Sequence, residues 1–215
     1  MINIIGNGPS LNTINKRELF NSNYDSVSYN RAYVIYKKYN FYPTYYFCID
    51  KAVLLNCLND ITKLLDSEIK HFVLLECDQT MHLNNNEKVT LIKKNNENTY
   101  YFGDVATFSI YYLFKKNMKN FDIYGCDCSY IEDYNKLNVD VEYNDNDPAR
   151  RIVLKPKKGS KDPNHFIDNY FDYSTEYSVP RTNNHLTCWK NIIKRLDIKL
   201  TFKTKSRVEN LLKNK

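Results

Sequence analysis

The stretch that decides the fold opens the chain: Ile2-Asn3-Ile4-Ile5-Gly6-Asn7-Gly8-Pro9-Ser10-Leu11. Ile2–Gly6 reads as a buried strand, a brief apolar run bounded by turn residues. A short helix is predicted near Ser10–Phe20, so Gly6-Asn7-Gly8-Pro9-Ser10 forms a tight strand-to-helix turn. Gly6 and Gly8 permit a positive φ and a close approach to the backbone. Pro9 suits the first turn of a helix, where its missing N–H is not needed. The amides that follow then face outward at the positive end of a helix dipole, which favours an anion such as phosphate. The dinucleotide fingerprint would need a third glycine, and a Walker loop would need Gly-Lys-Ser/Thr. From spacing alone, a βα turn without a ligand fits equally well.

The rest of the front half repeats the strand-helix alternation of a parallel α/β sheet. Ser26–Asn30, Thr44–Asp50, Phe72–Leu75 and Val89–Lys93 read as strands. Val53, Leu54, Leu58, Ile61, Leu64 and Leu65 recur at helical spacing. A helix is predicted from Asp104, a suitable N-cap, to Met118, followed by a strand at Asn120–Gly125. From Cys128 to Asn183 the pattern breaks; the segment is polar and holds Pro148, Pro156, Pro163 and Pro180. A run this long without periodicity reads as an irregular lid or substrate segment. A helix near Asn184–Leu196, a strand at Lys199–Thr204 and a last helix with a capping box at Ser206-Arg207-Val208-Glu209 restore order. The expected fold class is α/β: a single Rossmann-like domain over residues 1–215, a mainly parallel sheet flanked by helices, with the lid at about 128–183.

The formal net charge is +6, with 26% charged residues, which fits a lysine-coated surface and a preference for anionic partners. No arginine-rich arm or nucleic-acid module occurs, so nucleic acid is not an expected partner. The 19 tyrosines accompany an Asn-, Lys- and Ile-rich bias of the kind a low-GC coding sequence produces, and carry no binding signal. Cys48, Cys57, Cys77, Cys126, Cys128 and Cys188 contain no Cys-x-x-Cys, and no histidine stands at zinc-ligand spacing from Cys126 and Cys128. Thiols in apolar runs behave as small hydrophobes and point to a reducing compartment. With the first strand at the very start of the chain and no apolar run of membrane-spanning length, the expected location is cytoplasmic.

Three stretches together carry a family resemblance. Gly6-Asn7-Gly8-Pro9-Ser10-Leu11 resembles the opening motif of the bacterial lipooligosaccharide sialyltransferases, glycosyltransferase family 42, and of the related 6-hydroxymethylpterin diphosphokinase-like domain (DUF115). Val27-Ser28-Tyr29-Asn30-Arg31-Ala32-Tyr33 resembles the segment in which those sialyltransferases place a nucleotide-contacting Asn. Gly103-Asp104-Val105-Ala106-Thr107, with Ile123-Tyr124-Gly125-Cys126-Asp127-Cys128-Ser129-Tyr130 beyond it, resembles the region of further donor contacts. Asp162-Pro163-Asn164-His165-Phe166 resembles a motif of the diphosphokinase-like group.

The resemblance implies a nucleotide-sugar donor, CMP-linked, held by Gly6, Asn7, Gly8, Pro9, Ser10 and Asn30, with Asp50, Gly103, Asp104 and Asp127 beside it. Asp50 falls where the family has an Asn, and Asp104 also suits a plain helix cap. The implied reaction is metal-independent single displacement onto a glycan or glycolipid hydroxyl. No cofactor or metal is expected, and the protein would meet a membrane only peripherally, through its acceptor. A homo-oligomer is compatible with this reading. Sugar transfer needs a base for the acceptor hydroxyl and hydrogen-bond donors for the departing phosphate. His165 is the first candidate base and His185 the second, while His71 and His82 read as structural or merely exposed. Tyr130 is the preferred phosphate donor over Tyr134 and Tyr143; Arg150, Arg151 and Lys155 offer positive charge. Two alternatives stay open. One is Mg²⁺-dependent pyrophosphate transfer from ATP, with Asp50, Asp104 and Asp127 on the metal. The other is an inactive nucleotide-sugar-binding module.

Overall fold

In the computed structural model of the protein, the described residues are 1–133, 136, 139–143, 152–157, 163–167, 170 and 181–213, without the side chains of 141–143 and 152–156. The chain runs β1 (Ile2–Ile5), α1 (Lys16–Phe20), β2 (Asp25–Tyr29), α2 (Tyr36–Tyr39), β3 (Tyr45–Cys48), α3 (Lys51–Leu64), β4 (His71–Leu75) and β5 (Val89–Ile92). It continues with α4 (Val105–Phe114), β6 (Asn120–Tyr124), β7 (Val139–Tyr143), β8 (Ile152–Pro156), α5 (Thr182–Arg195), β9 (Lys199–Phe202) and α6 (Glu209–Leu212). Short 3₁₀ turns at Pro9–Thr13 and Asn30–Ile35 follow the first two strands.

The main sheet has seven strands in the order β5-β4-β3-β2-β1-β6-β9, every pairing parallel. The expected α/β class therefore holds, and every strand expected in the front half is present within one or two residues. Consecutive inner residues point to opposite faces, as the two-residue strand period requires. Phe47, Ile4 and Val27 pack toward Phe108 and Ile110 of α4 and Trp189 and Ile192 of α5. Tyr46, Cys48 and Ile5 pack toward Leu54 and Ile61 of α3 and Leu19 of α1. Both faces are covered, so β1 is buried along its whole length.

Two sequence expectations need amendment. Within the segment read as an irregular lid, β7 and β8 form an antiparallel pair, Val139 opposite Pro156 and Tyr143 opposite Ile152. At Ser206 the expected capping box is replaced by a shorter device: the Ser206 hydroxyl donates to the Cys126 carbonyl (2.6 Å) and accepts from the Val208 amide (3.1 Å). The Ser206 side chain is tied to the loop after β6, while the Glu209 N–H donates to the Ser206 carbonyl (3.4 Å).

The strand order positions the site. From β1 the chain works outward through β2, β3, β4 and β5, then returns to β6 on the opposite side of β1. The loops after β1 and β6 consequently leave the sheet side by side, at the switch point where open α/β sheets bind ligands.

Candidate functional site

The two switch-point loops are zipped together. Gly6 N–H donates to Tyr124 O (2.7 Å) and Gly8 N–H to Gly125 O (2.8 Å). This contact, rather than a positive φ, explains Gly6 and Gly8: a Cβ at Gly6 would stand 2.3 Å from Gly125 O, and one at Gly8 2.6 Å from Asp127 Cγ. Gly8 itself is extended at φ −71°, whereas Gly125 is the glycine in the left-handed region, at φ +62°. Pro9 occupies the first turn of the 3₁₀ segment as expected.

The expected phosphate position at Ser10 is filled from within the chain. Ser10 N–H donates to Asp127 Oδ2 (2.9 Å), and the Ser10 hydroxyl bonds both Asp127 Oδ1 and Thr204 Oγ1. Gly125 N–H reaches the same Thr204 oxygen at 2.8 Å. Burial pushes the Asp127 carboxyl up, and the two bonds from Ser10 oppose that shift. Asp127 and Ser10 therefore form a clasp between β1 and β6, and the outward-facing Ser10 amide read from the sequence is corrected to one occupied by a carboxylate.

Asn7 and Asn30 stand differently. Asn7 Nδ2 donates to Tyr170 Oη (2.9 Å) and Tyr29 O (3.3 Å), while its Oδ1 is buried without a hydrogen-bond partner among the described residues. Asn30, just past β2, holds φ 51°, a left-handed conformation that Asn tolerates better than most residues. Its carbonyl accepts from the Tyr46 hydroxyl at 2.5 Å, and its Oδ1 is likewise buried and unpartnered. Two orphan acceptors at the ends of adjacent central strands suit the N–H or O–H groups of a bound ligand, because an unmet buried acceptor costs about 1–3 kcal/mol.

Asp50 lies at the end of β3, exposed, and caps α3 through Ala52 N (2.9 Å) and Val53 N (3.2 Å). Gly103 is exposed at the start of the next cap, its α-carbon close to Cys188: an added Cβ would come 3.0 Å from Sγ. Asp104 is buried. Its Oδ1 caps α4 through Ala106 N (2.7 Å) and Thr107 N (3.2 Å), and its Oδ2 meets His185 Nδ1 at 2.7 Å. Burial would raise the Asp104 carboxyl, but His185 and the two capping amides outweigh it and hold the group below the usual carboxylate range. The side chain is thus both a helix cap and the orienting partner of a histidine.

That histidine sits in the first turn of α5, and the Tyr130 ring packs on it edge to face, centroids 5.0 Å apart. Burial, then the Asp104 carboxylate, push the Tyr130 hydroxyl well above its usual range, so it remains a hydrogen-bond donor. Thr182 clamps the entry to α5: its hydroxyl accepts from Tyr130 N (3.2 Å), and its amide donates to Glu132 Oε1 (2.8 Å).

His165 lies on a different wall. Phe166 N–H donates to Asn7 O (2.9 Å), laying residues 163–167 along the glycine turn, and the His165 ring stacks on Tyr170 at 3.8 Å. Asn164 braces this segment by accepting from Ile131 N at 2.7 Å. The fold therefore brings Asn7, Asn30, Asp104, Tyr130, His165 and His185 to one end of the sheet. Asp50 and Asp127 are there as a cap and a clasp. Sequence reading missed Tyr170, whose hydroxyl meets Asn7, and the pairing of Asp104 with His185, for which no local signal exists. Tyr134, Arg150, Arg151 and Asp162 lie outside the described residues, as do the side chains of Tyr143 and Lys155. Of the remaining histidines, His71 is exposed and stacks on Tyr45, and His82 is exposed in a 3₁₀ turn.

A parallel sheet with a switch-point crevice and polar side chains converging beyond its strand ends defines a Rossmann-like α/β fold. One solved structure shares it over nearly the whole chain. This is the sialyltransferase CstII from Campylobacter jejuni in complex with the substrate analogue CMP-3FNeuAc. The match covers 98% of this chain and 84% of that one, with a TM-score of 0.58 and 14% sequence identity, a distant structural relationship. No family model matches the chain, and no curated protein matches it by sequence. Among the described residues no helix is long and apolar enough to cross a membrane.

Proposed function

We propose that the protein is a glycosyltransferase that moves a sugar from a nucleotide-linked donor, CMP-linked as in its structural neighbour, to a hydroxyl of a glycan or glycolipid acceptor. The observation that carries this reading is the pair of buried, unpartnered oxygens Asn7 Oδ1 and Asn30 Oδ1 at the crevice of a fold shared with a CMP-sugar-binding enzyme. Both oxygens would accept from the donor, Asn30 from its nucleotide.

The chemistry follows from the remaining groups. The acceptor oxygen attacks the anomeric carbon as the bond to the donor phosphate breaks, through an oxocarbenium-like transition state. His185 serves as base: Asp104 holds Nδ1, which leaves Nε2 to take the acceptor proton and lets the carboxylate stabilise the imidazolium that results. Tyr130, protonated and packed on that imidazole, donates to the leaving phosphate. His165 stacks on Tyr170 beside Asn7, so its role is in closing the donor pocket rather than in proton transfer.

Pyrophosphate transfer has less support. Among the described residues Asp50, Asp104 and Asp127 do not converge as a carboxylate cluster, and each is already bonded to backbone amides. These residues do not fit a Mg²⁺ site.

Thermal shifts with CMP, CDP, UDP, ATP and GTP, each with and without EDTA, test the proposal. Stabilisation by CMP that survives EDTA is expected. Stabilisation by ATP only with Mg²⁺ would overturn it. Nucleotide binding with no turnover of any CMP-sugar would leave an inactive binding module.

A further inference from the structure

The inner wall of the site gathers more ligating atoms than sugar transfer uses. One carboxylate oxygen of Asp104, the Cys128 Sγ and one ring nitrogen of His185 lie within 4.8 Å of one another. They come from three separate places in the chain: the cap of α4, the loop after β6 and the first turn of α5. Asp104 and Cys128 are buried, and the His185 side chain is only 16% exposed. We propose that these three residues form a binding site for a thiophilic divalent cation. One thiolate, one imidazole and one carboxylate oxygen match zinc better than Mg²⁺ or Ca²⁺, which select all-oxygen sites.

An independent observation points to the same spot. Among the described residues, the wholly buried indole N–H of Trp189 meets no acceptor at full hydrogen-bond geometry. It lies beside the Cys128 thiol. A neutral thiol is a poor acceptor, whereas a cation-bound thiolate is a good one, so loading the site would satisfy the indole. Cys128 also holds φ 48°, a left-handed conformation unusual for a residue with a side chain, and the surroundings must enforce it.

Electrostatics argue in the same direction. Binding of a dication releases the Cys128 thiol proton to solvent, and the Asp104 carboxylate attracts the cation. Ligand atoms about 2.0–2.1 Å from a tetrahedral zinc stand roughly 3.3 Å apart. The 2.7 Å Asp104–His185 contact need open only slightly when the cation takes the place of the shared proton. Three protein ligands leave a fourth position for water or a phosphate oxygen. On the transferase reading above, on which this consequence alone rests, a bound cation would occupy the Asp104–His185 pair and shut off the base.

The test uses the full chain, stripped with EDTA and desalted, then titrated with Co²⁺ and Zn²⁺ in the absence of nucleotide. One equivalent of Co²⁺ should produce a thiolate-to-cobalt charge-transfer band that Zn²⁺ abolishes. Zn²⁺ at about 100 times its Kd should raise Tm by roughly 5–10 °C. Cys128→Ser should lose the band and the shift while keeping its metal-free Tm, Cys77→Ser should keep both, and His185→Gln should weaken Zn²⁺ at least about tenfold. No band in the wild type, or a band that survives Cys128→Ser, overturns the proposal. If Cys128→Ser does not fold, unchanged Zn²⁺ affinity in His185→Gln overturns it. No readout involves sugar transfer, so this site and the transferase reading can fail separately.

Discussion

Asp104 Oδ2 and His185 Nδ1 lie 2.7 Å apart although 81 residues separate them in the chain. The pairing turns a residue legible as a helix cap into the orienting partner of an imidazole, and it is the ground on which the base role is proposed for His185 rather than His165. Replacing His185 by Ala should lower kcat for CMP-sugar turnover by about 10²–10⁴, the usual contribution of a positioned base. His165→Ala should act mainly on KM, with kcat within roughly tenfold. Steady-state kinetics of the two variants decide between them, and the reverse ranking would remove His185 from the base role.

The orphan oxygens predict a binding defect. Asn30→Ala and Asn7→Ala each remove one buried acceptor, and each should weaken CMP about 5–100-fold, corresponding to roughly 1–3 kcal/mol for an unmet polar group on the ligand. Calorimetric titration of CMP is the measurement. Unchanged affinity in Asn30→Ala would detach the second strand from the donor pocket.

The Asp104 carboxyl titrates below its ordinary value in the folded protein. A group with a depressed folded pKa binds its proton more readily in the unfolded chain, so its contribution is fully present above the unfolded value of about 3.9. That contribution is lost as pH falls through the lower folded value. Urea unfolding between pH 7 and pH 3 should show wild-type stability declining below about pH 4, with a shallower decline in Asp104→Asn. At pH 7 the variant should be less stable by about 1 kcal/mol or more, the usual worth of an N-cap.

Gly6→Ala introduces a Cβ 2.3 Å from Gly125 O, a backbone atom of the central sheet that cannot swing aside. A loss of about 2 kcal/mol or more is expected in denaturant unfolding, since overpacking against backbone forces the strands apart. Gly8→Ala meets Asp127 as well as Gly125 O and should also disturb the Ser10 clasp. Wild-type stability in both variants would contradict the close approach of the β1 and β6 loops.

The sequence by itself determined the seven strands of the main sheet, the three longer helices and the position of the first turn. Those depend on local patterns: apolar runs such as Ile2–Ile5 and Tyr45–Cys48, helical spacing along Lys51–Leu64, and the caps Asp50 and Asp104, whose side chains reach amides two and three residues away. The glycines of that turn were legible as special, but the reason was not, because Gly125 O comes from a strand more than a hundred residues later. Only the tertiary structure decided what each polar residue does. Asp127 and Ser10, both read from the sequence as neighbours of the donor, bond each other across the β1–β6 junction. His185, unremarkable at the start of a helix, acquires Asp104, Tyr130 and Cys128 as neighbours because the parallel strand order folds three distant segments onto one end of the sheet. Secondary structure is written in contacts a few residues apart, whereas a site assembled from loops after different strands exists only once the strand order has placed them side by side.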